Sequence, residues 1–352
     1  MASFREQVPL AGHTTLRVGG PAARFAEART AGELIEAARD ADAEKAPLLV
    51  LGGGSNLLVC DDGFPGHVVK VATSGVRVAE AGDGAVRVTV AAGESWAGLV
   101  EWAVADKLAG LECLAGIPGL AGATPIQNVG AYGQEIAAVT ESVLAFDRHL
   151  GQVTALPAAR CGFGYRTSAF KRDPAGRHVV LEVTLRLARS AMSVPVRYAE
   201  LAASLGVAMG ERAPLSDVRD AVLELRRGKG MVLDPADPDT VSAGSFFTNP
   251  LLGPGQLARV EAAAGAPAPA FPVGDGMVKV PAAWLIERAG FGRGYPGAGP
   301  ARISSKHTLA LTNRGGATAA DLVALARIIA RGVREAFGVE LAPEPVLVGL
   351  SL

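Results

Sequence analysis

The chain has 352 residues, 49% hydrophobic and 20% charged, which is enough for two or three domains with ordinary cores. Its 34 lysines and arginines against 35 aspartates and glutamates leave a net charge of −1, which argues against nucleic acid or an anionic membrane surface as a partner. No apolar run approaches the roughly 18 residues that span a bilayer, and residues 1–15 lack the apolar stretch of a signal peptide. Cys60, Cys113 and Cys161 form no metal or disulfide pattern, so we expect a cytoplasmic protein with no membrane insertion and no metal site.

The first 60 residues predict short strands around one helix. Residues 14–28 are typical of a short strand, a Gly-Gly turn and a second strand. Thr30 and Glu33 have the spacing of a capping box ahead of a helix. The apolar run at 48–51 predicts a buried strand, and it leads directly into the glycines at 52–54.

These three glycines are open to more than one interpretation. A dinucleotide-binding Rossmann turn requires a helix after its glycines, whereas an apolar run and a turn-like stretch follow here. The glycines are therefore predicted to join two strands. A plain hairpin is one interpretation, and the other is that the amides of the turn hold a diphosphate as an anion nest.

The middle of the chain is rich in strand patterns. Residues 76–91 alternate with period two around Asp83-Gly84, which predicts a hairpin. Ser95 predicts the start of a helix that continues to about residue 110. Strand-like alternation returns over 140–188.

The segment 116–133, GIPGLAGATPIQNVGAYG, contains five glycines and two prolines and neither lysine nor a carboxylate. Its composition differs from that of a disordered linker, which is enriched in charge. Glycines allow a backbone to approach a ligand closely, and prolines stiffen turns. The segment therefore predicts a backbone wall against a large planar or phosphorylated molecule, with an ordinary packed surface loop as the alternative.

The C-terminal part is more helical. Ser216 is predicted to begin a helix that ends at 226–230, and Trp284 to begin another. Residues 251–275 are rich in Ala, Pro and Gly and predict a surface excursion with one short helix. This order of strands, helices and strands, without a regular βα repeat, predicts an α+β fold and not a doubly wound sheet.

The last predicted helix and strand close the chain. Thr318 and Asp321 predict the cap of the helix, and Gly338 its end. A final strand is predicted over 339–348. The apolar residues of the helix expected to face inward are Leu322, Leu325, Ile328, Ile329, Val333 and Phe337.

Three polar residues are candidates for chemistry. Arg166, in GFGYRTSAFK, is interpreted either as an exposed charge on a strand or as a permanently charged group for an anion. Ser245, in SAGSFFTNP, lacks the G-x-S-x-G pattern of a hydrolase elbow, and a turn serine before a strand is the simpler interpretation. Glu344, in LAPEPVLVG, lies between prolines. A charge flanked by prolines is typical of an edge strand that is protected from pairing with another chain.

Taken in order, five segments resemble the UDP-N-acetylenolpyruvoylglucosamine reductase family: GGGSN, the segment 116–133, GYRTSAFK, AGSFFTNP and the late glutamate. The resemblance runs from about His13 to Gly349, and Tyr198 in VRYAEL is similar to the substrate-closing tyrosine of the longer class. It implies an FAD-binding domain in two parts, of the vanillyl-alcohol-oxidase/PCMH type, and a C-terminal α+β substrate-binding domain. The implied bounds are 1–205 for the FAD-binding domain (subdomains about 1–70 and 71–205), 206–338 for the substrate-binding domain, and 339–352 for a terminal strand that returns Glu344 to the active site.

The resemblance implies that NADPH reduces FAD, and that a hydride from flavin N5 then reduces UDP-N-acetylglucosamine enolpyruvate to UDP-N-acetylmuramate. Arg166 and Glu344 correspond to the residues that stabilise the enolate-like carbanion, and Ser245 to the proton donor. No obligate protein partner is implied. The residues that correspond to the FAD site are Gly52, Gly53, Gly54, Ser55, Asn56, Leu57, Pro118, Gly119, Gly122, Ala123, Thr124, Gln127, Asn128, Gly130 and Ala131. The residues that correspond to the substrate site are Tyr165, Tyr198, Arg226, Lys229, Asn249 and His307.

The chain departs from the family pattern at three positions. Pro345 follows Glu344 where the family has a β-branched residue, Phe271 replaces a tyrosine of some members, and His307 replaces a glutamine of some relatives. Two other functions stay open at this point. One is an oxidase that shares the flavin-binding domain, and the other is a non-catalytic flavin subunit that passes electrons to a partner.

Overall fold

A computed structural model describes residues 3–173 and 176–352. The chain divides into two compact units. Unit 1 consists of the described residues of Met1–Val8, Ala22–Gly53 and Pro65–Gly228, and unit 2 of Pro9–Pro21, Gly54–Phe64 and Lys229–Leu352.

The division into these units differs from the sequence-based prediction, which placed a boundary after residue 205. The helix Leu215–Gly228 belongs to unit 1 because its Val218 and Val222 are buried in the core of that unit. Unit 2 also takes residues from the N-terminal part of the chain, which a division into consecutive segments does not represent. The assignment of a function to each predicted domain stays a prediction.

The described residues form helices and strands in an α+β arrangement. The helices are α1 (Ala31–Ala43), α2 (Trp96–Ala105), α3 (Ala169–Arg172), α4 (Ala199–Leu205), α5 (Leu215–Gly228), α6 (Pro254–Ala264), α7 (Ala282–Arg288) and α8 (Ala319–Phe337). The strands are β1 (Arg5–Pro9), β2 (Pro21–Ala28), β3 (Leu48–Leu51), β4 (Leu57–Val59), β5 (Phe64–Val71), β6 (Val76–Gly82), β7 (Ala85–Ala91), β8 (Leu108–Ala109), β9 (Gly130–Ala131), β10 (Gln134–Glu135), β11 (Thr140–Asp147), β12 (Gln152–Pro157), β13 (His178–Arg189), β14 (Ser242–Ser245), β15 (Leu251–Leu252), β16 (Phe271–Gly274), β17 (Met277–Lys279), β18 (Ala301–Ile303), β19 (Ala310–Asn313) and β20 (Val346–Val348).

Unit 1 is built on two larger sheets, with the two-stranded pair β9–β10 in addition. One has the order β1-β2-β5-β3, and the other has the order β12-β11-β13-β7-β6, with β8 paired to β13. The predicted hairpin around Asp83-Gly84 is confirmed as β6 and β7. Alternate residues of β7, Val86, Val88 and Val90, lie in the core, as period-two alternation requires. The predicted capping box of α1 and the Ser95 cap of α2 are also confirmed.

Unit 2 combines short sheets with the long helix α8. One sheet has the order β14-β19-β18, and the small sheet β15-β17-β16 is formed by strands that lie between β14 and β18 in the sequence. Strand β4 pairs in parallel with β20. The capping box of Thr318 and Asp321 is confirmed, and the left-handed Gly338 ends the helix. The carboxylate of Asp61 also accepts hydrogen bonds from the amides of Ala319 and Ala320 at 2.8 and 3.0 Å, so a distant residue adds to the cap.

Several predicted elements were wrong in extent. Residues 14–18 form no strand, because Arg17 has a left-handed φ of 54°. Helix α2 ends at Ala105, short of residue 110. The last strand is only Val346–Val348, since Pro343 and Pro345 have no amide hydrogen for a ladder. Ile328, predicted to face inward on α8, is 39% exposed. Among the described residues, no helix combines the length and the apolar character that crossing a membrane requires.

Candidate functional site

Two glycine-rich backbones meet in unit 1. A Cβ added to Gly53 would lie 2.8 Å from the Cα of Gly119, so no side chain fits between them. Gly119 has a φ of 118°, which favours glycine. The strands on either side of residues 52–54 belong to different sheets, so the plain-hairpin interpretation is wrong. The result is a stretch of exposed main chain without bulky side chains.

Other glycines of the predicted FAD site have a packing role. A Cβ on Gly122 would overlap Ala92, and one on Gly54 would overlap the carbonyl of His13. A Cβ on Gly130 would lie 2.8 Å from the carbonyl oxygen of Gln134, across the β9–β10 turn. Gly52 differs, because a Cβ there would make only ordinary contacts, the nearest at 3.8 Å.

Thr124 and Asn128 hold the segment 116–133 in shape. Both are buried. The hydroxyl of Thr124 donates to the carbonyl of Ala121 at 2.7 Å. The Asn128 amide nitrogen donates to Glu135 at 2.8 Å and to the Gly164 carbonyl at 3.0 Å, and its oxygen accepts from Ala137. Their side chains therefore stabilise the protein's own backbone.

The Arg166 segment is fastened to the same glycine-rich segment. Nη2 of Arg166 donates to the carbonyl of Gly130 at 2.8 Å, and the hydroxyl of Ser168 donates to the carbonyl of Ile126 at 2.6 Å. Arg166 does not lie on a strand, as one interpretation had it. It lies in a tight turn closed by Gly164 and Thr167, and its φ is 52°. A left-handed φ is uncommon for a non-glycine residue and clusters at functional sites.

A group of aromatic and basic residues surrounds this part of unit 1. The rings of Tyr132 and Tyr198 meet edge to face with centroids 5.2 Å apart. Burial raises the pKa of Tyr132 to about 12. Burial also lowers the pKa of Arg226 to about 10. The nearby Tyr132 acts to raise this pKa, whereas the positive charge of Arg166 lowers it further. Unit 1 thus brings the predicted residues Arg166, Arg226 and Tyr198 into one electrostatic neighbourhood.

Tyr132 was missed from the sequence as a site residue. The available signal was its place as the one aromatic residue of the 116–133 segment. Its φ of 48° is also left-handed, like those of Asn128 and Arg166. Only the folded structure shows that its ring reaches Tyr198.

Unit 2 brings Ser245 and Glu344 close in the backbone network. Ser245 ends β14 and pairs with Ala310 of β19. The next residue, Phe246, accepts a hydrogen bond from the amide of Glu344 at 2.9 Å through its carbonyl oxygen. Glu344 lies before β20 and not within a terminal strand, so the edge-strand interpretation was wrong. Its own carbonyl accepts from Asn56 at 3.4 Å.

The remaining predicted residues are distributed over both units. Asn249 accepts from the amide of Ala282 at 2.9 Å, at the start of α7, and the amide of His307 donates to the Ser304 hydroxyl at 3.2 Å. The aromatic ring of Tyr165 lies 5.7 Å from the guanidinium carbon of Arg166. Half-buried positions are occupied by Ser55, Asn56, Leu57, Pro118, Gln127, Ala131 and Lys229, and Ala123 is exposed.

Comparison with known proteins matches both parts of the chain to family models. Residues 22–152 match the model described as FAD binding domain, and residues 235–348 match the C-terminal domain of UDP-N-acetylenolpyruvoylglucosamine reductase. The chain therefore contains an FAD-binding domain.

Full-length relatives are similar over nearly the whole chain. A UDP-N-acetylenolpyruvoylglucosamine reductase of Thermobifida fusca is 57% identical, with 99% of each chain covered. One of Saccharopolyspora erythraea is 55% identical over 97% of this chain and 95% of that protein. The crystal structure of UDP-N-acetylenolpyruvylglucosamine reductase (MurB) from Thermus caldophilus matches with a TM-score of 0.66 at 29% identity, covering 98% of this chain and 100% of that one. The chain belongs to the UDP-N-acetylenolpyruvoylglucosamine reductase family.

Proposed function

We propose that this protein is an NADPH-dependent flavoenzyme that reduces UDP-N-acetylglucosamine enolpyruvate to UDP-N-acetylmuramate, in the cytoplasm, for peptidoglycan precursor synthesis. The observation that carries the proposal is the proximity of Ser245 and Glu344 through Phe246, in a chain whose relatives are named as reductases of this substrate. A hydroxyl and a carboxylate on adjacent backbone are suited to deliver a proton and to orient the group that receives it.

The residues present fit FAD. The contact between Gly53 and Gly119 leaves main chain without side chains, against which a large planar group can lie. Gly52 and Ala123 border the same region, since a Cβ on Gly52 would lie 3.9 Å from that of Ala123. FAD bound at this surface would supply hydride transfer, from NADPH to flavin N5 and from N5 to the methylene carbon of the substrate.

Arg166 is proposed to hold the carboxylate of the enolpyruvyl group. Its guanidinium keeps its charge at neutral pH and presents several donors in one plane. The hydrogen bond to Gly130 fixes one side of the guanidinium, which reduces the entropy lost when it binds an anion. As negative charge builds on the substrate carbon next to the carboxylate, a positioned cation stabilises it.

Ser245 is proposed to protonate that carbon, and Glu344 to orient and stabilise the enolate. A serine is a weak acid in water, so its proton transfers only when a strongly basic carbanion develops beside it. The ladder position of Ser245 opposite Ala310 fixes its Cα and so limits the positions that its hydroxyl can occupy.

The rest of the substrate is a nucleotide sugar with a diphosphate. Arg226 and Lys229 are proposed to meet the diphosphate, and Tyr198 to close over the uridine. Tyr165, Asn249 and His307 are proposed as further substrate contacts. Arg226 lies close enough to Arg166 for their positive charges to repel each other. An anion with more than one negative group would stabilise both guanidinium groups, so this arrangement supports a site for such an anion.

The test is a direct assay of the purified yellow protein. NADPH absorbance should fall only when UDP-N-acetylglucosamine enolpyruvate is added, and UDP-N-acetylmuramate should form in equal amount. Absence of substrate-dependent NADPH loss would overturn the proposal. Peroxide formation with oxygen as the acceptor would favour the oxidase, as would flavin that stays attached after denaturation. Activity only after addition of a partner protein would favour the electron-transfer subunit.

A further inference from the structure

Asp239 is a buried carboxylate of unit 2 that the proposed reaction does not use. It is 3% exposed and lies in the 3-10 helix Pro238–Thr240, just before β14. Its carboxylate accepts from the amide and the hydroxyl of Ser305 at 2.8 and 2.6 Å, and from Nη1 of Arg314 at 2.8 Å. Burial raises the pKa of Asp239, but hydrogen bonds from Ser305 and Ser304 and the charge of Arg314 outweigh it, so the pKa lies below its ordinary value. The group is therefore ionised and held by several donors.

Two serines hold the segment that contains His307. Asp239 bonds directly to the amide and the hydroxyl of Ser305, two residues before His307. The hydroxyl oxygen of the neighbouring Ser304, a fully buried residue, accepts from the amides of Lys306 and His307 at 3.0 and 3.2 Å. Asp239 therefore fixes the chain at Ser305, and Ser304 fixes the turn from there to His307.

The same loop continues to the strand partner of Ser245. The carbonyl of His307 accepts from the amide of Ala310 at 3.1 Å, and Ala310 pairs with Ser245. The amide of Phe246 donates to the carbonyl of Leu309 at 2.7 Å. Residues 304–309, called here the Asp239-bound loop, therefore connect Asp239 to the backbone that holds Ser245.

We propose that Asp239 is a positioning residue for the substrate step, because it fixes the Asp239-bound loop and so the spacing between His307 and Ser245. The inference rests on the proposed function. A carboxylate is required at this position because its two oxygens accept from Ser305 and Arg314 together. The carboxamide of an Asp239→Asn variant has one oxygen, and its amino group would face donors.

The loop carries a second ion pair that provides a matched control. Nζ of Lys306 donates to Asp237 at 2.6 Å, and the two side chains are 39% and 20% exposed. Such partly exposed pairs contribute little to stability. Asp237 also accepts from the amide of Asp239 at 3.0 Å, and the carboxamide oxygen of an Asp237→Asn variant can still accept this bond. Asp237→Asn therefore removes one negative charge beside the loop while leaving the contacts of the Asp239 carboxylate in place.

The experiment measures the two half-reactions by stopped flow in the holoenzyme with Asp239→Asn, Ser305→Ala and Asp237→Asn. Asp239→Asn should slow the substrate step about tenfold to a hundredfold at limiting substrate, the scale of a displaced reacting group, and should raise the substrate concentration for half-maximal rate. The NADPH step should stay nearly unchanged, and so should both steps in Asp237→Asn. The double variant Asp239→Asn/Ser305→Ala should be no slower than the slower single variant, because both changes break the same contact between Asp239 and Ser305.

Equal slowing of both steps, or no slowing of either, would overturn the inference. If Asp239→Asn does not fold, Ser305→Ala decides it alone, because that change removes one contact of Asp239 with the loop and leaves its pairing with Arg314 in place. A wild-type protein that shows no substrate step would instead overturn the proposed function, so the two failures are distinguishable.

Discussion

Gly122 and Ala92 lie so close that no side chain fits between them. The amide of Gly122 donates to the carbonyl of Ala92 at 2.9 Å, and a Cβ on Gly122 would overlap the Cβ of Ala92. This contact fastens the segment 116–133 to the residue that follows β7. Gly122 is therefore needed for packing, whatever its relation to the flavin.

Gly122→Ala is expected to destabilise the fold by roughly 1–3 kcal/mol, the usual cost of overpacking a tight interior. Urea unfolding followed by circular dichroism measures the change. The matched control is Gly255→Ala in α6, where an added Cβ meets no atom within 4 Å. That control should leave stability unchanged or raise it slightly, because alanine is the better helix former. A Gly122→Ala protein as stable as the wild type would show that the packing is looser than described.

Substitution of Gly52 should affect FAD binding and not stability, the reverse of what is expected for Gly122. A Cβ there makes only ordinary contacts, with Leu120 at 3.8 Å and Ala123 at 3.9 Å. Gly52→Val should therefore fold with nearly normal stability but bind FAD more weakly, because the side chain would extend into the proposed flavin surface. The measurement is flavin content after purification and the concentration of FAD that restores the yellow colour to stripped protein. Full flavin content in this variant would place the cofactor elsewhere.

The elements predicted correctly are those whose sequence signals lie within a few residues of one another. The capping boxes at Thr30 and Thr318 and the turn at Asp83-Gly84 act within a few residues, so the sequence contains them completely. The predictions failed where contacts between residues far apart in the chain determine the local structure. Residues 14–18 bond to remote segments, as in the amide of Thr15 to Gly54, and not to a neighbouring strand.

The site divides in the same way. Arg166, Ser245 and Glu344 were predicted because their short segments resemble segments of a known family. Tyr132 and Asp239 were missed because their partners lie far along the chain, as with Arg314, which is 75 positions after Asp239. The roles given to glycines show a further limit. Sequence composition cannot separate a glycine with room for a side chain, such as Gly52, from one packed tightly against the protein, such as Gly122.

Asp147 should make stability depend on acid pH. The hydrogen bonds of Arg177 lower its pKa to about 2 against the opposing effect of burial, and the amide of Leu150 also contributes. Because the pKa is lower in the folded protein than the ordinary value of 3.8, the carboxylate stabilises the fold above that value and loses this contribution as the pH falls toward 2. Asp147→Asn should therefore lower the urea midpoint at neutral pH and flatten its decline in acid.

The control for this effect is Asp83→Asn, since Asp83 is an aspartate whose side chain is 98% exposed. Its acid profile should follow that of the wild type. An Asp147→Asn protein whose urea midpoint declines in acid as steeply as the wild type would contradict the role given to the pair with Arg177.

Substitution of Ser245 should affect the two half-reactions very differently. Reduction of the flavin by NADPH needs no proton delivered to carbon, so Ser245→Ala should leave that step nearly intact. The substrate step needs the proton, and loss of a positioned acid costs about 10² to 10⁴ in rate. Ser245→Cys keeps an ionisable proton at similar reach and should recover part of the loss. Stopped-flow absorbance of the flavin follows each step.

The comparison needs a hydroxyl of the same segment that has no proposed role. Thr248 provides it, because its hydroxyl donates to the carbonyl of Ala342 at 3.3 Å. Thr248→Val should leave both steps close to the wild-type rates. If Ser245→Ala slows the NADPH step as much as the substrate step, the serine supports only the structure of the flavin site. Its assignment as the proton donor would then be wrong, since a proton donor to substrate carbon has no part in the reduction of the flavin.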